Sequence, residues 1–279
     1  MFKMHSSFIA FRTSLPTFSR AVSPRLVSPS ISHVQQNNLL RAKHLQVAAM
    51  SIVSTSGRPL YDLYVKGSPE KGELGDCPFS HRTMLTMEEK GITYNKLLLD
   101  ELNMPEWIAE VTEGKSTIPF ATELETGKWL YDSDKIVPYL EDKFPERKLG
   151  KPDEVPQVGT NLFPAFMEYI KTTDKADEDK KREALVSELK SIDADLKKTE
   201  GPYVGGQDVN AADLKLGPQL KHVIIGAKAV KQWELPKDLT AVHAFMEAIQ
   251  KRESWKNTYY TEKYVADGWH KKLETMGVK

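Results

Sequence analysis

The single cysteine of this chain lies in a short segment whose residue types are suited to redox chemistry. The segment reads Gly-Asp-Cys-Pro-Phe-Ser over residues 75–80, and no other cysteine occurs in the sequence. Proline is common at the first position of a helix, so Pro78 indicates that Cys77 stands at a helix N-terminus. The unpaired amide groups and partial positive charge found there favour a thiolate over a thiol. We therefore predict a Cys77 pKa below about 8.5, the usual value of a free cysteine.

Ser80 stands where a second cysteine would complete a Cys-x-x-Cys pair. Serine forms no disulfide, so an oxidised Cys77 has to pass its oxidised state to an external thiol, and glutathione is the natural candidate. The Ser80 hydroxyl lies one helical turn along and is expected to hydrogen-bond the thiolate. The competing interpretation is a buried, inert cysteine, because free cysteine is among the most buried residue types.

Composition and charge limit the function classes. The chain has 279 residues, of which 40% are hydrophobic and 28% charged, a length that suggests roughly two domains. One cysteine excludes an internal disulfide and a multi-cysteine zinc site, and we predict no metal centre. Residues 1–61 carry seven basic residues and no acidic one, which leaves 32 basic against 39 acidic residues in the body. We therefore predict no nucleic-acid partner. No apolar run is long enough for a membrane span, and we expect no stable membrane insertion.

The N-terminal segment 1–58 is rich in serine and arginine and lacks acidic residues. This composition is typical of an organelle transit peptide. We predict a plastid address with cleavage near Val47–Ser51, and a mitochondrial address as the second choice. A disordered tail without an address is the competing interpretation.

The hydrophobic patterns predict a first domain over residues 59–144. A parallel strand pair joined by a helix is followed by a second helix, an antiparallel hairpin and a last helix, which is the order of a thioredoxin-like domain. Pro138 lies inside the last of these helices, where proline normally shortens or kinks a helix. The predicted elements are strands 60–67, 94–100, 117–125 and 128–132 and helices 77–91, 104–112 and 133–144.

After a proline-containing linker, 145–159, all signals in residues 160–279 are helical. Asn210 is suited to an N-cap, and Asp213 three residues later completes a variant of the capping box. The predicted helices cover 161–173, 177–199, 210–230 and 237–255.

Two further features are consistent with a glutathione site. Pro119 follows Ile118 at the start of a predicted strand, and in thioredoxin-like folds this proline is usually cis, which exposes the backbone before it to a peptide ligand. Asp132 and Ser133 open the next helix, where amide groups and a hydroxyl can receive the γ-glutamyl carboxylate. A strand-edge proline and plain capping residues would give the same pattern.

Three stretches resemble the plant-type dehydroascorbate reductases, which are glutathione-dependent enzymes of the glutathione transferase superfamily. They read LGDCPFSHRTMLTMEEKGITY, GKWLYDSDKIVPYLEDKFPE and KRESWKNTYYTEKYVADGWHKK, and the resemblance extends over about residues 60–275. It implies the glutathione transferase fold, an α/β thioredoxin-like N-terminal domain followed by an all-α C-terminal domain.

The resemblance also implies the roles of individual residues. Cys77 would be the nucleophile, supported by Pro78 and Ser80. Nine further residues would bind glutathione or dehydroascorbate. Plain packing or surface positions are the competing interpretations for His222, Trp269 and Lys66. The nine are Lys66, Asp76, Ile118, Pro119, Asp132, Ser133, His222, Trp269 and Lys272.

The sequence departs from the family pattern near this site. Met104 stands where a lysine is expected before the Pro-x-Trp motif, and residues 115–118 make a longer approach to Pro119 than usual. Both departures bear on the contacts to glutathione, and neither involves Cys77.

The implied function is the reduction of dehydroascorbate to ascorbate by glutathione with ping-pong kinetics, in ascorbate recycling and antioxidant defence. Glutathione would be a co-substrate, with no bound cofactor, and the protein a monomer. Two alternatives share the cysteine and the fold: an omega-like glutathione transferase with general thiol-transferase activity, and a non-enzymatic protein related to the chloride intracellular channels. A glutathione-binding scaffold without turnover is a third.

Overall fold

The computed structural model describes Val53, Ser54 and residues 57–278. The predicted cleavage region, Val47–Ser51, lies outside these residues, so the transit peptide stays a prediction. The domain boundaries drawn from the sequence stay predictions as well.

A six-stranded sheet forms the first part of the described chain. Its order is β1-β4-β2-β5-β6, with β3 paired to β2. β2 and β4 are parallel, with Tyr61 opposite Tyr94, and the other pairs are antiparallel. The predicted parallel pair and hairpin are therefore confirmed, whereas the two-residue strands β1 and β3 were not predicted. The strands are β1 (Val53–Ser54), β2 (Tyr61–Ser68), β3 (Glu73–Leu74), β4 (Tyr94–Leu99), β5 (Phe120–Glu123) and β6 (Trp129–Tyr131).

Among the described residues, three helices accompany this sheet and six follow it. None of the helices in the described part of the chain is long and apolar enough to cross a membrane. The helices are α1 (Pro78–Lys90), α2 (Trp107–Val111), α3 (Ser133–Lys143), α4 (Leu162–Lys171), α5 (Lys175–Leu196), α6 (Ala211–Lys231), α7 (Thr240–Gln250), α8 (Glu253–Asn257) and α9 (Glu262–Thr275).

The two helices that matter most for the site are bounded by local signals. Cys77 is the N-cap of α1 and Pro78 its first residue, while Gly91 ends the helix with a φ of 66°, a conformation that glycine adopts without strain. α6 begins with the predicted capping box, in which Asn210 and Asp213 satisfy each other's backbone amides.

Helix α1 packs between the sheet and the later helices. Its Met84 and Met87 lie in a core cluster with β2, whereas its Leu85 belongs to the core of the helical layer. On the opposite face of the sheet, Tyr64 stacks on Phe120 with their ring centroids 4.4 Å apart. α1 is thus the element shared by the two parts of the fold.

Two predicted helices differ in the structure, whereas α3 agrees with its prediction. The segment predicted as one helix, 237–255, forms α7 and α8, because the chain turns at Arg252 and its guanidinium binds both carboxylate oxygens of Glu89 in α1 at 2.6 and 2.7 Å. The predicted helix 104–112 corresponds to α2, which begins three residues later, at Trp107. α3 continues through Pro138, which neither ends nor shortens it.

Candidate active site

Cys77 lies at the junction between the loop after β3 and helix α1. Its backbone is extended, with φ −87° and ψ 114°, and its Sγ accepts a hydrogen bond from the Ser80 amide at 3.4 Å. Ser80 is buried, and its hydroxyl accepts from the Lys66 amide at 3.5 Å. The thiol is thus an N-cap group, as predicted, and remains partly exposed.

Three charged side chains meet beside the thiol. Lys66 lies near the end of strand β2. Its Nζ is 2.9 Å from an oxygen of Asp76 and 2.5 Å from an oxygen of Glu101. These carboxylates raise the pKa of Lys66 above its ordinary value, against the lowering effect of burial. Lys66 is therefore an ammonium whose charge is already shared between two carboxylates.

The pKa of the Cys77 thiol differs from the sequence prediction. Burial raises this pKa, and it outweighs the lowering effects of the Ser80 hydroxyl, the Ser80 and Phe79 amides and the charge of Lys66. The predicted lowering was therefore wrong for the ligand-free protein. The helix terminus acts as expected, but the groups that cover the thiol remove water that would solvate a thiolate.

A cleft of about 830 Å³ opens beside the thiol, between the first part of the fold and the helical layer. It brings together eight residues that the resemblance implicated, from segments far apart in sequence. They are Lys66, Asp76, Cys77, Pro78, Ile118, His222, Trp269 and Lys272.

His222 and Trp269 form a buried pair at the cleft wall. The Trp269 indole nitrogen donates to His222 Nδ1 at 3.2 Å, so the imidazole proton resides on Nε2, which lies 3.2 Å from the Tyr260 hydroxyl. Burial, together with the positive charges of Lys221, Lys66 and Lys272, lowers the His222 pKa to about 3. His222 is therefore a neutral residue that positions Trp269, and it is unsuited to accept a proton during turnover.

Two glycines allow the helical layer to approach the site. A Cβ on Gly268 in α9 would lie 2.0 Å from Asp76 Oδ2, and one on Gly226 in α6 would lie 2.8 Å from the Trp269 ring. Contacts this short do not occur with real side chains, so a side chain at either position would displace Asp76 or the Trp269 ring. Asp76 is thus held directly against the last helix.

Three other predicted ligand residues belong to the Ile118–Pro119 peptide bond and to the start of α3. The Ile118–Pro119 peptide bond is cis. Asp132 caps α3 by accepting from the Asp134 amide at 3.0 Å, and Ser133 is buried with its hydroxyl 3.5 Å from the Arg82 guanidinium. The structure does not place Pro119, Asp132 or Ser133 in the wall of the cleft.

Several residues of the site were not found from the sequence. Tyr260 is buried and touches His222, and Glu101 competes for Lys66 from an exposed loop. Lys115 lines the same cleft as Met104, and no carboxylate of the described residues lies within 4 Å of its ammonium. No local pattern marks these residues, because each acts through contacts distant in sequence.

The fold and the cysteine site together define the glutathione transferase class. The family described as glutathione S-transferase, N-terminal domain, matches residues 76–143. The Arabidopsis thaliana glutathione S-transferase DHAR2 is 39% identical over 76% of this chain and 98% of its own length. The protein named "Probable glutathione S-transferase DHAR1, cytosolic" from Oryza sativa subsp. japonica is 39% identical over 72% of this chain and 92% of its own length.

The chain belongs to the DHAR family of glutathione S-transferases, as these identities show. The crystal structure of Chlamydomonas reinhardtii dehydroascorbate reductase is similar, with a TM-score of 0.70 and 35% identity over 76% of this chain and 98% of that one. The CLIC homologue EXC-4 from C. elegans has a TM-score of 0.66, with coverage of 80% of this chain and 88% of that one. Because the two sequences are only 18% identical, this likeness shows a shared fold alone. The predicted combination of a thioredoxin-like domain with a helical region is confirmed by these matches.

Replacing Glu101 with glutamine should make the thiol more reactive. The variant removes one of two carboxylates that share the Lys66 charge, so the positive field at Cys77 increases. Because Glu101 is 58% exposed, its ion pair with Lys66 contributes an interaction free energy of roughly 0.2–1 kcal/mol. The alkylation of Cys77 at pH 7 should therefore be faster in the variant by up to about fivefold. Mass spectrometry of iodoacetamide labelling measures this rate. Glu110→Gln, an exposed change on α2, is the control, and equal rates in both variants would contradict the electrostatic link.

His222 should make the fold sensitive to acid. Its pKa is 6.5 when unperturbed and about 3 in the fold, so the unfolded chain binds a proton that the folded chain excludes as pH falls through this window. The contribution of neutral His222 to the free energy of unfolding is fully present above pH 6.5. It should decrease by about 2 kcal/mol as the pH falls from 7 to 5. Urea unfolding of His222→Asn should show a shallower pH dependence than the wild type. His243→Asn, at an exposed position, should keep the wild-type slope, and parallel slopes in all three proteins would refute the assignment.

Proposed function

We propose that this protein reduces dehydroascorbate to ascorbate at Cys77 and draws the electrons from glutathione. The observation that carries the proposal is the partly exposed Cys77 thiol, capping α1 beside the Lys66 ammonium in a large cleft. The names and the identity of the relatives support the same substrate pair.

The first half-reaction oxidises the enzyme. Cys77 loses its proton, and the Ser80 amide and hydroxyl stabilise the thiolate. The thiolate gives two electrons to dehydroascorbate, directly or through a covalent adduct, and ascorbate leaves. A water oxygen completes the sulfenic acid on Cys77, so that thiol, dehydroascorbate and water yield sulfenic acid and ascorbate.

The second half-reaction restores the thiol with two glutathione molecules. The first condenses with the sulfenic acid, forming a mixed disulfide and releasing water. The second attacks that disulfide, releasing oxidised glutathione and the Cys77 thiolate. Ser80 cannot take the place of the second glutathione, because a hydroxyl forms no disulfide.

Lys66 supports the first half-reaction through charge. Negative charge develops on the oxygens of the substrate as it gains electrons, and a nearby ammonium in a partly dry cleft stabilises it. Glu101 occupies one side of Lys66 in the ligand-free protein and has to yield that contact to the substrate oxygens. Asp76 keeps the ammonium oriented, and Trp269 and Lys272 close the cleft from α9.

Glutathione would enter the cleft beside Ile118 and extend beyond its wall toward the start of α3. The Ile118 backbone would pair with the cysteinyl part, and Pro119 would keep that backbone exposed to the ligand. Ser133 and the α3 terminus at Asp132 would hold the γ-glutamyl end. The glycine carboxylate would meet Lys115, which supplies the charge that Met104 does not.

The setting of the reaction is proposed on the sequence of the N-terminal segment. We place the mature protein in the plastid, where it would recycle ascorbate as a monomer without a bound cofactor. A relative from Arabidopsis thaliana is named "Glutathione S-transferase DHAR3, chloroplastic", while the Oryza sativa relative above is named cytosolic. The omega-like and channel-related alternatives gain no support from the comparisons.

Cys77→Ser should abolish ascorbate formation. The loss should be on the order of a thousandfold or more, since the nucleophile itself is removed. Absorbance of ascorbate formed from dehydroascorbate and glutathione measures turnover, and wild-type double-reciprocal plots should be parallel, as expected of a ping-pong scheme. Ser80→Ala is the comparison and should slow turnover while still allowing a glutathione adduct on Cys77. Normal turnover in Cys77→Ser would overturn the scheme.

Lys115→Met should raise KM for glutathione and leave KM for dehydroascorbate unchanged. The loss of a charged contact to the glycine carboxylate at an exposed position should raise KM for glutathione by about fivefold. Steady-state kinetics with each substrate varied in turn measure this split. Met104→Lys should lower the same KM, and Lys128→Met, outside the cleft, should leave it unchanged. If Lys115→Met behaves like Lys128→Met, Lys115 makes no contact with glutathione.

A further inference from the structure

Tyr260 is a buried residue that reaches the back of the Cys77 site without lining the cleft. It lies between α8 and α9 and is only 2% exposed. Lys221 of α6 donates to the Tyr260 carbonyl at 2.6 Å, and its ammonium lies 3.6 Å from the centroid of the tyrosine ring. The His81 ring of α1 meets the same ring edge to face, with centroids 5.0 Å apart. Contacts from two helices therefore fix the position of the Tyr260 hydroxyl.

This hydroxyl belongs to a chain of hydrogen bonds that has only one possible direction. An indole N–H can only donate, so Trp269 donates to His222 Nδ1 at 3.2 Å. The imidazole is neutral and carries its single proton on Nε2, which lies 3.2 Å from the Tyr260 hydroxyl oxygen. A protonated ring nitrogen has no lone pair with which to accept, so Tyr260 cannot donate to His222. The O–H hydrogen of Tyr260 is therefore directed away from the imidazole.

The charges that act on the Tyr260 hydroxyl indicate what it faces. Burial raises the pKa of Tyr260 well above its usual value, and the negative charges of Cys77 and Asp76 raise it further. The phenol therefore stays protonated and remains a donor. Of the other titratable groups against the ring, Lys221 is a cation, and His81 is neutral because burial holds its pKa well below the usual value. Among the described residues, no hydrogen bond joins this hydroxyl to the Cys77 sulfur, so it acts on the thiol through its dipole.

We infer that Tyr260 is a positioning residue whose hydroxyl dipole supports negative charge at Cys77. Trp269 and His222 set the direction of the chain and thereby turn the positive end of that dipole from the imidazole toward the thiol. Hydrogen bonds in series polarise one another in a buried site, so the last donor acts more strongly than an isolated hydroxyl would. The benefit to turnover rests on the proposed function, whereas the effect on the thiol is independent of it.

Tyr260→Phe tests this role, because it removes one oxygen atom and keeps the ring. Cys77 is the only cysteine, so the pH dependence of iodoacetamide labelling, followed by mass spectrometry, gives the midpoint of thiolate formation. The midpoint should move to higher pH, and labelling at pH 7 should be slower by about two- to threefold. Tyr259→Phe, at the half-exposed neighbouring position, is the matched control and should behave like the wild type.

The labelling uses no dehydroascorbate, so it tests Tyr260 whether or not the proposed function is correct. Equal midpoints in Tyr260→Phe and Tyr259→Phe would overturn the inference. A purely structural role would instead lower the melting temperature of Tyr260→Phe and leave the midpoint unchanged.

Trp269→Phe tests the direction of the chain. Without the indole N–H, His222 is able to carry its proton on Nδ1 and accept from Tyr260, which turns the hydroxyl away from the thiol. The midpoint should therefore move in the same direction as in Tyr260→Phe, and the double variant should show no further shift. Two shifts that add in full would contradict the directed chain. Circular dichroism verifies folding, and if Trp269→Phe does not fold, the comparison of Tyr260→Phe with Tyr259→Phe decides.

Discussion

The packing of α1 between the sheet and the helical layer is the constraint on which the rest of the structure depends. One side of this helix buries Met84 and Met87 against the sheet, and Leu85 enters the core of the helical layer. Because Cys77 caps this same helix, its position relative to Lys66 on β2 and to Trp269 on α9 is fixed by two separate hydrophobic cores. A shift of α1 of even a few tenths of an ångström would have to be accommodated in both cores, since protein interiors are closely packed.

The site built on this helix balances opposing electrostatic effects. A helix terminus, the Ser80 hydroxyl and Lys66 favour the thiolate, while burial favours the thiol and prevails in the ligand-free protein. Asp76 and Glu101 take up much of the Lys66 charge. The cleft thus favours a protonated cysteine at rest. In the proposed reaction, the release of Lys66 by Glu101 would let the ammonium support negative charge on the substrate.

Local signals in the sequence predicted local structure well. Cys77 and Pro78 at the start of α1, Gly91 at its end and the Asn210–Asp213 capping box are all confirmed, because each depends on neighbours within a turn of the helix. The turn at Arg252 and the pKa of Cys77 were not predictable, since the first follows from a contact with Glu89 and the second from burial in the folded chain. Most of the cleft was expected through the family resemblance rather than from the residues themselves.

The burial of Cys77 also has a consequence for the chain while it folds. The cleft around the thiol is completed by α6 and α9, which carry His222 and Trp269, and these lie well over a hundred residues after the cysteine. In a partly folded chain whose sheet and α1 have formed first, the Ser80 groups already stabilise a thiolate while water still reaches it. The cysteine is then at its most nucleophilic and most easily oxidised. Docking of the helical layer converts an indiscriminate thiol into one that reacts only with molecules that enter the cleft.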